Sequence, residues 1–458
     1  MSPTSSSPMA QLFSIPARRQ RYLDVEAALA LAQADLGVIP HDPAQQIAAT
    51  AHLHLLDAAR IDADEVRTAH PLMPLITELA RVVGEPAGGW IHWGATTQNV
   101  QQTADVLGLR LALNLLTAQL CDLLDALTVL TERGAELVMA GRTHGQQAVP
   151  ITFGFKTAIW VDAMLRHLER SQQLRPRLLT AMMGGAVGNF ASLGDIGPAV
   201  QRRVAERLGL TPMPLPARSL SDPFAELVCL LGMLAGTGSA IAGEVARLMA
   251  NEFAEVGEAL GEGDVGSSTM PQKRNPKKSA AVIALSAQIR ALVPLALEAM
   301  IHSHEVEGAR TAMMDAALEQ GCVLSGELLT LLTEVVRGLE LYPERMAANL
   351  QLSGGLINAE AVMMQLAQKI GRGEAHEVVH HAAREVAIRG AGAGFLEVLS
   401  HDPQIQAELS AQELTQLLDP ASHTGLSAAL AHETSARARR AVEHVREQLN
   451  DEHLENRL

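Results

Sequence analysis

The chain has 458 residues, of which 48% are hydrophobic and only 3% aromatic, so aliphatic side chains must fill its core. The formal net charge of −15 argues against nucleic-acid binding, which needs a basic surface. No run of eighteen apolar residues occurs in the sequence, so no membrane span is predicted. A composition rich in Ala and Leu and poor in aromatic residues favours α-helices.

The first part of the chain is predicted to form helices of modest length. Residues 1–15 are rich in Ser and Pro and are predicted to be disordered, without a secretory signal. Helices are predicted from about residue 18 to Gly37, over 43–60, and from the segment 67–74 to about Val83.

A dense set of polar side chains follows, directly before a strongly apolar helical segment. It contains His92, Thr96, Thr97 and Gln98. Hydroxyl and amide groups in this position can cap a helix. They can equally help to bind a carboxylate, because the N-terminus of a helix favours negative charge. Both interpretations remain open at this point.

Long helices are predicted for the middle of the chain. Leucines recur at helical spacing over 107–137, and a further helix is predicted over 152–175. The proline-free segments 224–260, 277–293 and 295–342 predict three more. Helices this long have apolar faces that need partner helices to cover them. The sequence therefore predicts an all-α fold built on a bundle of long helices.

The remaining segments differ from this pattern. Residues 141–147 interrupt the helical spacing, and the glycine-rich segment 184–190 follows no recognisable strand, so we interpret the latter as a close-approach loop rather than a dinucleotide-binding turn. After Pro343 shorter helices are predicted. The tail from residue 435 is predicted to be a charged, solvated surface helix.

Cysteine and histidine usage predicts neither disulfides nor a metal site. The three cysteines, Cys121, Cys229 and Cys322, lie far apart in apolar stretches and are predicted to be buried free thiols, which fits the reducing cytoplasm. The seventeen histidines are dispersed without a metal-ligating pattern. No metal and no cofactor are predicted.

The most informative stretch is the loop 261–276, which is predicted to lie between two long helices. It contains three glycines, the hydroxyls of Ser267 and Ser268, and the anion-binding groups of Lys273, Arg274 and Asn275. Two prolines prevent it from continuing a helix. A mobile loop with these groups is typical of a lid that closes over an anion.

Residues 266–276 fill every fixed position of the pattern GSSxMPxKxNP and therefore resemble the signature of the fumarase/aspartase superfamily. That family includes argininosuccinate lyase, adenylosuccinate lyase and 3-carboxy-cis,cis-muconate cycloisomerase. The resemblance implies three helical domains, at 1–106, 107–350 with the mobile loop 261–276, and 351–458. It also implies a homotetramer whose central domains form a 20-helix core, with each site shared between subunits.

The resemblance further implies the roles of particular residues. Ser267 matches the family's catalytic base, and His144 matches the family's general acid. The residues that match or accompany the family's substrate-binding positions are His70, His92, Thr96, Thr97, Gln98, Thr143, Lys273, Asn275 and Arg310. The implied partner is a small dicarboxylate or tricarboxylate, with no nucleic acid and no membrane.

The chemistry of these residues fits proton removal next to a carboxylate. The resulting aci-carboxylate dianion needs preorganised donors, which Lys273 and Asn275 can supply. Ser267 becomes a base only if nearby N–H groups and cations lower the pKa of its hydroxyl. His144 suits protonation of a leaving group, because histidine titrates near neutrality.

Three features leave the branch of the family open. Residues 90–96, 305–310 and 371–377 resemble the cycloisomerase branch, whereas 141–146 is of the lyase type. Lyases of this kind carry a glutamate thirteen residues after the serine that pairs with the histidine, and here that residue is Ala280. Without a carboxylate partner, a protonated His144 is less favoured. In addition, Asn99 replaces the aspartate usual after the glutamine.

Three activities are therefore considered. The first is a lyase that splits an N- or O-substituted succinate into fumarate and an amine or alcohol. The second is a 3-carboxy-cis,cis-muconate cycloisomerase, and the third is an epimerase of a succinyl amino acid such as iminodisuccinate. A non-enzymatic role, as in superfamily members that serve as lens proteins, is disfavoured because base, cation and histidine are all present.

Overall fold

A computed structural model describes residues 7–259, 261, 269–270, 272–389 and 394–455, with side chains described up to residue 451. Residues 262–268, which include Ser267, and Pro271 of the signature loop lie outside this part of the chain. Most of the described residues are helical, which confirms the all-α prediction. The helices are α1 Pro8–Leu12, α2 Ile15–Asp35, α3 His41–Thr50, α4 Ala58–Thr68, α5 Met73–Val83, α6 Thr97–Arg133, α7 Phe153–Leu178, α8 Gly197–Arg207, α9 Asp222–Leu248, α10 Lys277–Ala299, α11 Gly308–Arg337, α12 Pro343–Leu350, α13 Ala359–Ile370, α14 Arg372–Arg389, α15 Phe395–His401, α16 Pro403–Glu408, α17 Ala411–Leu417 and α18 Ser427–Glu455.

The N-terminal segment is more ordered than the sequence predicts. Residues 8–12 form α1, and α2 begins at residue 15, so the prediction of disorder up to residue 15 is wrong for these residues. The side chains of Ser7 and Ser14 accept hydrogen bonds from the backbone N–H groups of Ala10 and Ala17, which caps both helices. Met9 is buried in the central core and fixes α1 there.

The single helix predicted over 43–60 is also wrong. The chain forms α3 and α4, separated by residues 51–57. Asp57 begins the second helix, because its carboxylate accepts the backbone N–H of Arg60.

A long-helix bundle forms the centre of the molecule, as predicted. Helices α6, α7, α9, α10, α11 and α18 contribute to one apolar core. Helix α6 begins at Thr97, ten residues before the predicted start, and runs for 37 residues. Helix α10 continues past Pro294 to Ala299, whereas α9 ends at Leu248, well before residue 260. The segment 300–307 then separates α10 from α11.

The interruption at 141–147 is an antiparallel hairpin. Strands β1 Val138–Thr143 and β2 Gln146–Thr152 pair with each other, and His144 and Gly145 form the turn. Both turn residues have positive φ, of 52° and 77°, which glycine adopts without strain. The other described ladders are β3 Thr180–Ala181 with β4 Thr211–Pro212, and β5 Val256–Gly257 with β6 Glu340–Leu341.

The glycine-rich segment is a close-approach loop, as predicted. A Cβ at Gly184 would lie 2.5 Å from Cγ of Pro216 and 2.8 Å from Cα of Gly188. No larger residue fits there without moving the backbone.

The C-terminal tail is only partly a solvated surface helix. Ala438, Val442 and Val445 of α18 are buried in the central core. Its arginines form ion pairs with acidic residues of α6 and α7, for example Arg446 with Asp122 at 2.8 Å. The many charged residues on the exposed side of this helix concealed the apolar stripe in the sequence.

Three large apolar cores lie within the described residues, besides two small buried clusters. One lies among α2 to α8, one in the central bundle, and one among α13 to α17. Helix α6 starts in the first core and continues into the second, so the boundary at 106/107 falls inside a helix. The domain limits at 1–106, 107–350 and 351–458, like the homotetramer, stay predictions.

Three described helices have the length and composition of membrane spans. Two of them, α6 and α9, bury 61% of the apolar window inside the molecule. In α10 only 28% of that window is buried. An apolar surface of α10 is thus left uncovered within one chain.

Candidate active site

Most of the predicted site residues fall into three signature regions, at 96–98, 142–144 and 261–276. The first signature region lies at the start of α6. Thr96 is the N-cap residue, and its backbone N–H donates to Oδ1 of Asn99 at 3.3 Å. The amide of Asn99 also binds Gly185, accepting from its N–H at 3.0 Å and donating to its carbonyl at 3.4 Å. A carboxylate cannot donate that last bond, so asparagine fits this position better than the aspartate usual in the family. Thr97 and Gln98 occupy the first helical turn beside the N-terminus.

His70 and Thr97 are brought together across 27 residues of sequence. Nδ1 of His70 accepts the backbone N–H groups of Leu72 and Met73 at 3.2 and 3.0 Å. An accepting Nδ1 leaves the proton on Nε2, which lies 3.5 Å from Oγ1 of Thr97. His70 thereby helps to start α5 and directs an N–H toward the first region.

His92 has a buried partner that the sequence did not reveal. Its Nδ1 lies 2.7 Å from Oε1 of Glu26, which is 1% exposed on α2. Burial acts to lower the pKa of His92, but the hydrogen bond and charge of Glu26 outweigh it and raise the pKa above its usual value. The carboxylate of Glu26, directly before the apolar run 27–32 of α2, is the sequence signal that could have suggested this pair.

The second signature region is carried by the hairpin β1–β2. Arg142 forms two hydrogen bonds to the carboxylate of Glu255, at 2.9 and 2.6 Å, and its guanidinium lies 4.7 Å from the ring centroid of Phe253. Glu255 is fully buried and also accepts the amide of Asn349 at 2.8 Å. Beyond this clamp the hairpin exposes Thr143 and His144 at its tip.

The third region borders a cleft of about 630 Å³. Its lining includes Glu252, Gly257, Lys273, Asn275 and Tyr342. Lys273 is exposed and Asn275 half-buried along this cleft. The catalytic-base candidate Ser267 lies outside the described residues.

Arg274 was predicted to help bind an anion, but its guanidinium binds neighbouring residues of the same chain. Its guanidinium binds Glu340 at 2.9 and 3.1 Å, the hydroxyl of Tyr342 at 3.1 Å and the carbonyl of Glu258 at 2.6 Å. These contacts attach the end of the signature loop to β5 and β6. The buried carboxylate of Glu258 in turn accepts the N–H groups of Lys278 and Ser279, which caps α10.

Arg310 is also held by acidic neighbours. Its Nη1 lies 2.7 Å from Glu298, and its Nε lies 3.7 Å from Glu307. The side chain sits at the start of α11, where α10 and α11 are joined.

Within one chain the three regions fall into two groups. The second and third regions are anchored on the same segment, because Arg142 binds Glu255 and Arg274 binds Glu258. The first region belongs to the N-terminal core. Among the described residues, no hydrogen bond or ion pair joins Thr96, Thr97 or Gln98 to the hairpin tip.

This fold defines a helical-bundle protein with hydroxyl, amide and cationic side chains near the ends of long helices. The family model described as "Lyase" matches residues 3–291, and the model "Adenylosuccinate lyase C-terminus" matches residues 355–434. The chain belongs to the fumarase/aspartase superfamily, in the branch of adenylosuccinate lyase and 3-carboxy-cis,cis-muconate cycloisomerase.

Relatives with different reactions are similarly close. The N-acetyl-S-(2-succino)cysteine lyase of Dickeya dadantii is 38% identical over 91% of both chains. The 3-carboxy-cis,cis-muconate cycloisomerase of Pseudomonas aeruginosa is 39% identical over 92% of both. The crystal structure of a fumarate lyase from Mesorhizobium sp. BNC1 superposes with a TM-score of 0.87, at 34% identity, covering 93% of this chain and 97% of that one. The chain is thus an enzyme of this superfamily, and these identities do not fix its substrate.

Proposed function

We propose that this enzyme is a lyase that cleaves a carbon–heteroatom bond of a substituted succinate and releases fumarate. The observation that carries the proposal is the clamped hairpin, which holds an exposed histidine at its tip on the same segment that anchors the signature loop. A lyase needs an acid for the leaving group, whereas an epimerase has no leaving group to protonate.

The proposed reaction has two steps. Ser267, as an alkoxide, removes a proton from the carbon next to one carboxylate, and the electron pair moves into that carboxylate to give the aci-carboxylate. Lys273 and Asn275 stabilise its two negative oxygens. The electron pair then returns to form the double bond of fumarate, the bond to the heteroatom breaks, and the leaving group takes a proton from His144.

The residue at position 280 restricts the kind of leaving group that the proposed lyase would release. Ala280 lies exposed in the first turn of α10, where related lyases carry the glutamate that pairs with the histidine. Without this partner a protonated His144 is less favoured, which suits a leaving group that needs little protonation. A thiol has a pKa near 8.5, far below that of an alcohol or an amine, so a thiolate leaves with little help. The relative named as an N-acetyl-S-(2-succino)cysteine lyase supports a thioether substrate.

Cycloisomerase activity is the second candidate. It is favoured by the 39% identical relative of that name. Epimerisation is the third, and it too needs less acid assistance. One set of assays separates the three: fumarate release from S-, N- and O-succinyl adducts, lactone formation from 3-carboxy-cis,cis-muconate, and deuterium uptake at the substrate carbon without fumarate.

Assembly into a homotetramer with shared sites is part of the proposal. The separation of the first region from the other two within one chain supports it, and so does the uncovered apolar surface of α10. The proposed compartment is the cytoplasm, which fits the three free cysteines, two of them buried.

The serine pair offers a matched test of the mechanism. We expect Ser267→Ala to fold normally and to lose several powers of ten in kcat, because the carbon base is gone. The neighbouring Ser268→Ala is the control and should retain far more activity. If Ser267→Ala turns over at the wild-type rate with every substrate, serine is not the base.

A further inference from the structure

A second cavity, of about 250 Å³, lies between α2, α6 and α11. Its lining includes six charged side chains, Arg18, Arg21, Asp105, Arg218, Asp315 and Glu319. The cavity also touches Pro71 and Gln101. Pro71 follows His70, and Gln101 lies one helical turn after Thr97, so the cavity adjoins the His70–Thr97 contact of the first region.

The guanidinium groups of this cavity are fixed in place. Arg18 binds Glu319 at 3.0 Å, while its buried Nε has no hydrogen-bond partner among the described residues. Arg21 donates to the carbonyls of Ala104 and Leu12 at 3.1 and 2.8 Å. Within the described ranges, Arg218 donates one long hydrogen bond, of 3.3 Å, to Gln102. Donor capacity for an anion therefore remains inside the cavity.

The carboxyl groups are the less usual part of the lining. Neither Asp105 nor Asp315 accepts a hydrogen bond from another residue in the part of the chain that the structure describes. Burial and the nearby charge of Asp315 raise the pKa of Asp105 to about 7, and burial also raises the pKa of Asp315. Asp105 is half-buried and Asp315 is exposed along the cavity lining, so both carboxyls can accept hydrogen bonds from a ligand.

The dimensions and the balance of charge restrict the ligand. Three guanidinium groups face three carboxyls, so a ligand with a single sign of charge gains from one set and is repelled by the other. A zwitterion satisfies both sets at once. The volume is below the range of about 300–1,000 Å³ usual for drug-sized ligands, which suits a small amino-acid group rather than a nucleotide.

We propose that this cavity binds the leaving group of the substrate, and that this group is an amino acid with a free α-ammonium and a free α-carboxylate. The ammonium is held by Asp105 and Asp315, and the carboxylate by Arg18 and Arg218. This inference rests on the proposed lyase function. It makes Asp105 and Arg218 specificity-determining residues that act away from the breaking bond.

Three thioether substrates test the inference: S-(2-succinyl)cysteine, its N-acetyl derivative and 2-(methylthio)succinate. For the wild type we expect kcat/KM to be at least tenfold higher with the free amino-acid adduct than with the other two. Asp105→Asn should reduce this preference at least tenfold, mainly through KM. The exposed Asp64→Asn on α4 is the matched control and should preserve the preference. An equal loss by Asp105→Asn with all three substrates overturns the inference and assigns Asp105 a structural role.

If none of the three adducts is cleaved, the proposed thioether lyase activity is wrong. In that case, binding of a product-like amino acid tests the inference about the cavity separately. Calorimetric titration with S-methylcysteine is the probe. We expect the wild type to bind S-methylcysteine. The variant Asp315→Asn, at an exposed position near the start of α11, should weaken this binding at least tenfold. The same variant replaces Asp105→Asn in the substrate tests if Asp105→Asn does not fold. No binding by the folded wild type, or binding unchanged in the variant, overturns the inference.

Discussion

Arg142 and Glu255 form a two-pronged ion pair, with bonds of 2.9 and 2.6 Å, that joins the hairpin to the segment leading into the signature loop. The carboxylate is fully buried, and the arginine side chain is 14% exposed. A second bond from Asn349 and the ring of Phe253 complete the surroundings. His144 lies in the turn two residues after Arg142, so its position depends on a contact between Arg142 and a residue 113 positions away.

Removing one charge of this pair should be costly. We expect Glu255→Gln to lower the free energy of unfolding by about 3–5 kcal/mol, because it leaves the guanidinium with a poor partner in a buried place. Urea unfolding measures this, and kcat should fall with it because the hairpin is no longer held. The exposed pair of Arg67 and Asp64 is the control, where Asp64→Asn should cost no more than about 1 kcal/mol. A stable and fully active Glu255→Gln would show that the clamp is dispensable.

His144 can be altered without disturbing the turn that carries it. Its φ of 52° is a conformation that asparagine tolerates well, so we expect His144→Asn to keep the stability of the wild type. Loss of the acid should lower kcat about 10²–10⁴-fold with substrates that have poor leaving groups. With a thioether substrate the loss should be much smaller. If the loss is the same for good and poor leaving groups, His144 is not the acid.

The pair of His92 and Glu26 predicts a pH-dependent stability. The pKa of His92 is raised in the folded protein, so its contribution is fully present below about pH 6.5 and is lost as pH rises through the folded pKa. We expect His92→Gln to cost about 1.5–3 kcal/mol at pH 5.5 and less at pH 9, measured by urea unfolding. The exposed His54→Gln serves as the control. A cost that grows with pH would contradict the assignment.

For Asp105 we predict the opposite effect, because its mutation should raise the free energy of unfolding. The pKa of Asp105 is about 7 in the folded protein and lies above its value in the unfolded chain. The free energy of unfolding therefore falls as pH rises from about 4 to 7. We expect Asp105→Asn to be more stable than the wild type at pH 8, by up to a few kcal/mol at about 1.4 kcal/mol per pKa unit, and nearly equal to it at pH 4. Thermal unfolding at the two pH values measures this. A loss of stability at pH 8 would mean that the ionised carboxylate is satisfied within the fold.

The uncovered face of α10 predicts association between copies of the chain. Ile283 and Leu297 are 36% and 49% exposed on this helix. We expect Leu297→Glu to shift the protein from a tetramer to smaller species in analytical ultracentrifugation, and to lower activity if sites are shared. Val66→Glu, at an 87% exposed position on α4, is the control and should leave assembly unchanged. A monomeric wild type would remove the basis of the shared site.

Local sequence determined the helical class, the bundle and the capped start of α6, because periodic apolar positions, proline-free stretches and polar capping residues act over a few residues. It also determined the family, through an unbroken signature at 266–276. It misjudged features decided by a small balance of energies, such as the tight hairpin at His144 and the passage of α10 through Pro294.

Only the tertiary structure decided which charges meet. The partners of His92, Arg142 and Arg274 lie 66, 113 and 66 residues away, respectively, and no local pattern encodes such pairings. The cavity containing Asp105 exists because α2, α6 and α11 pack side by side and enclose side chains from distant segments. Local composition fixes which elements form, whereas packing fixes the neighbours of each buried charge, and those neighbours set its pKa and its chemistry.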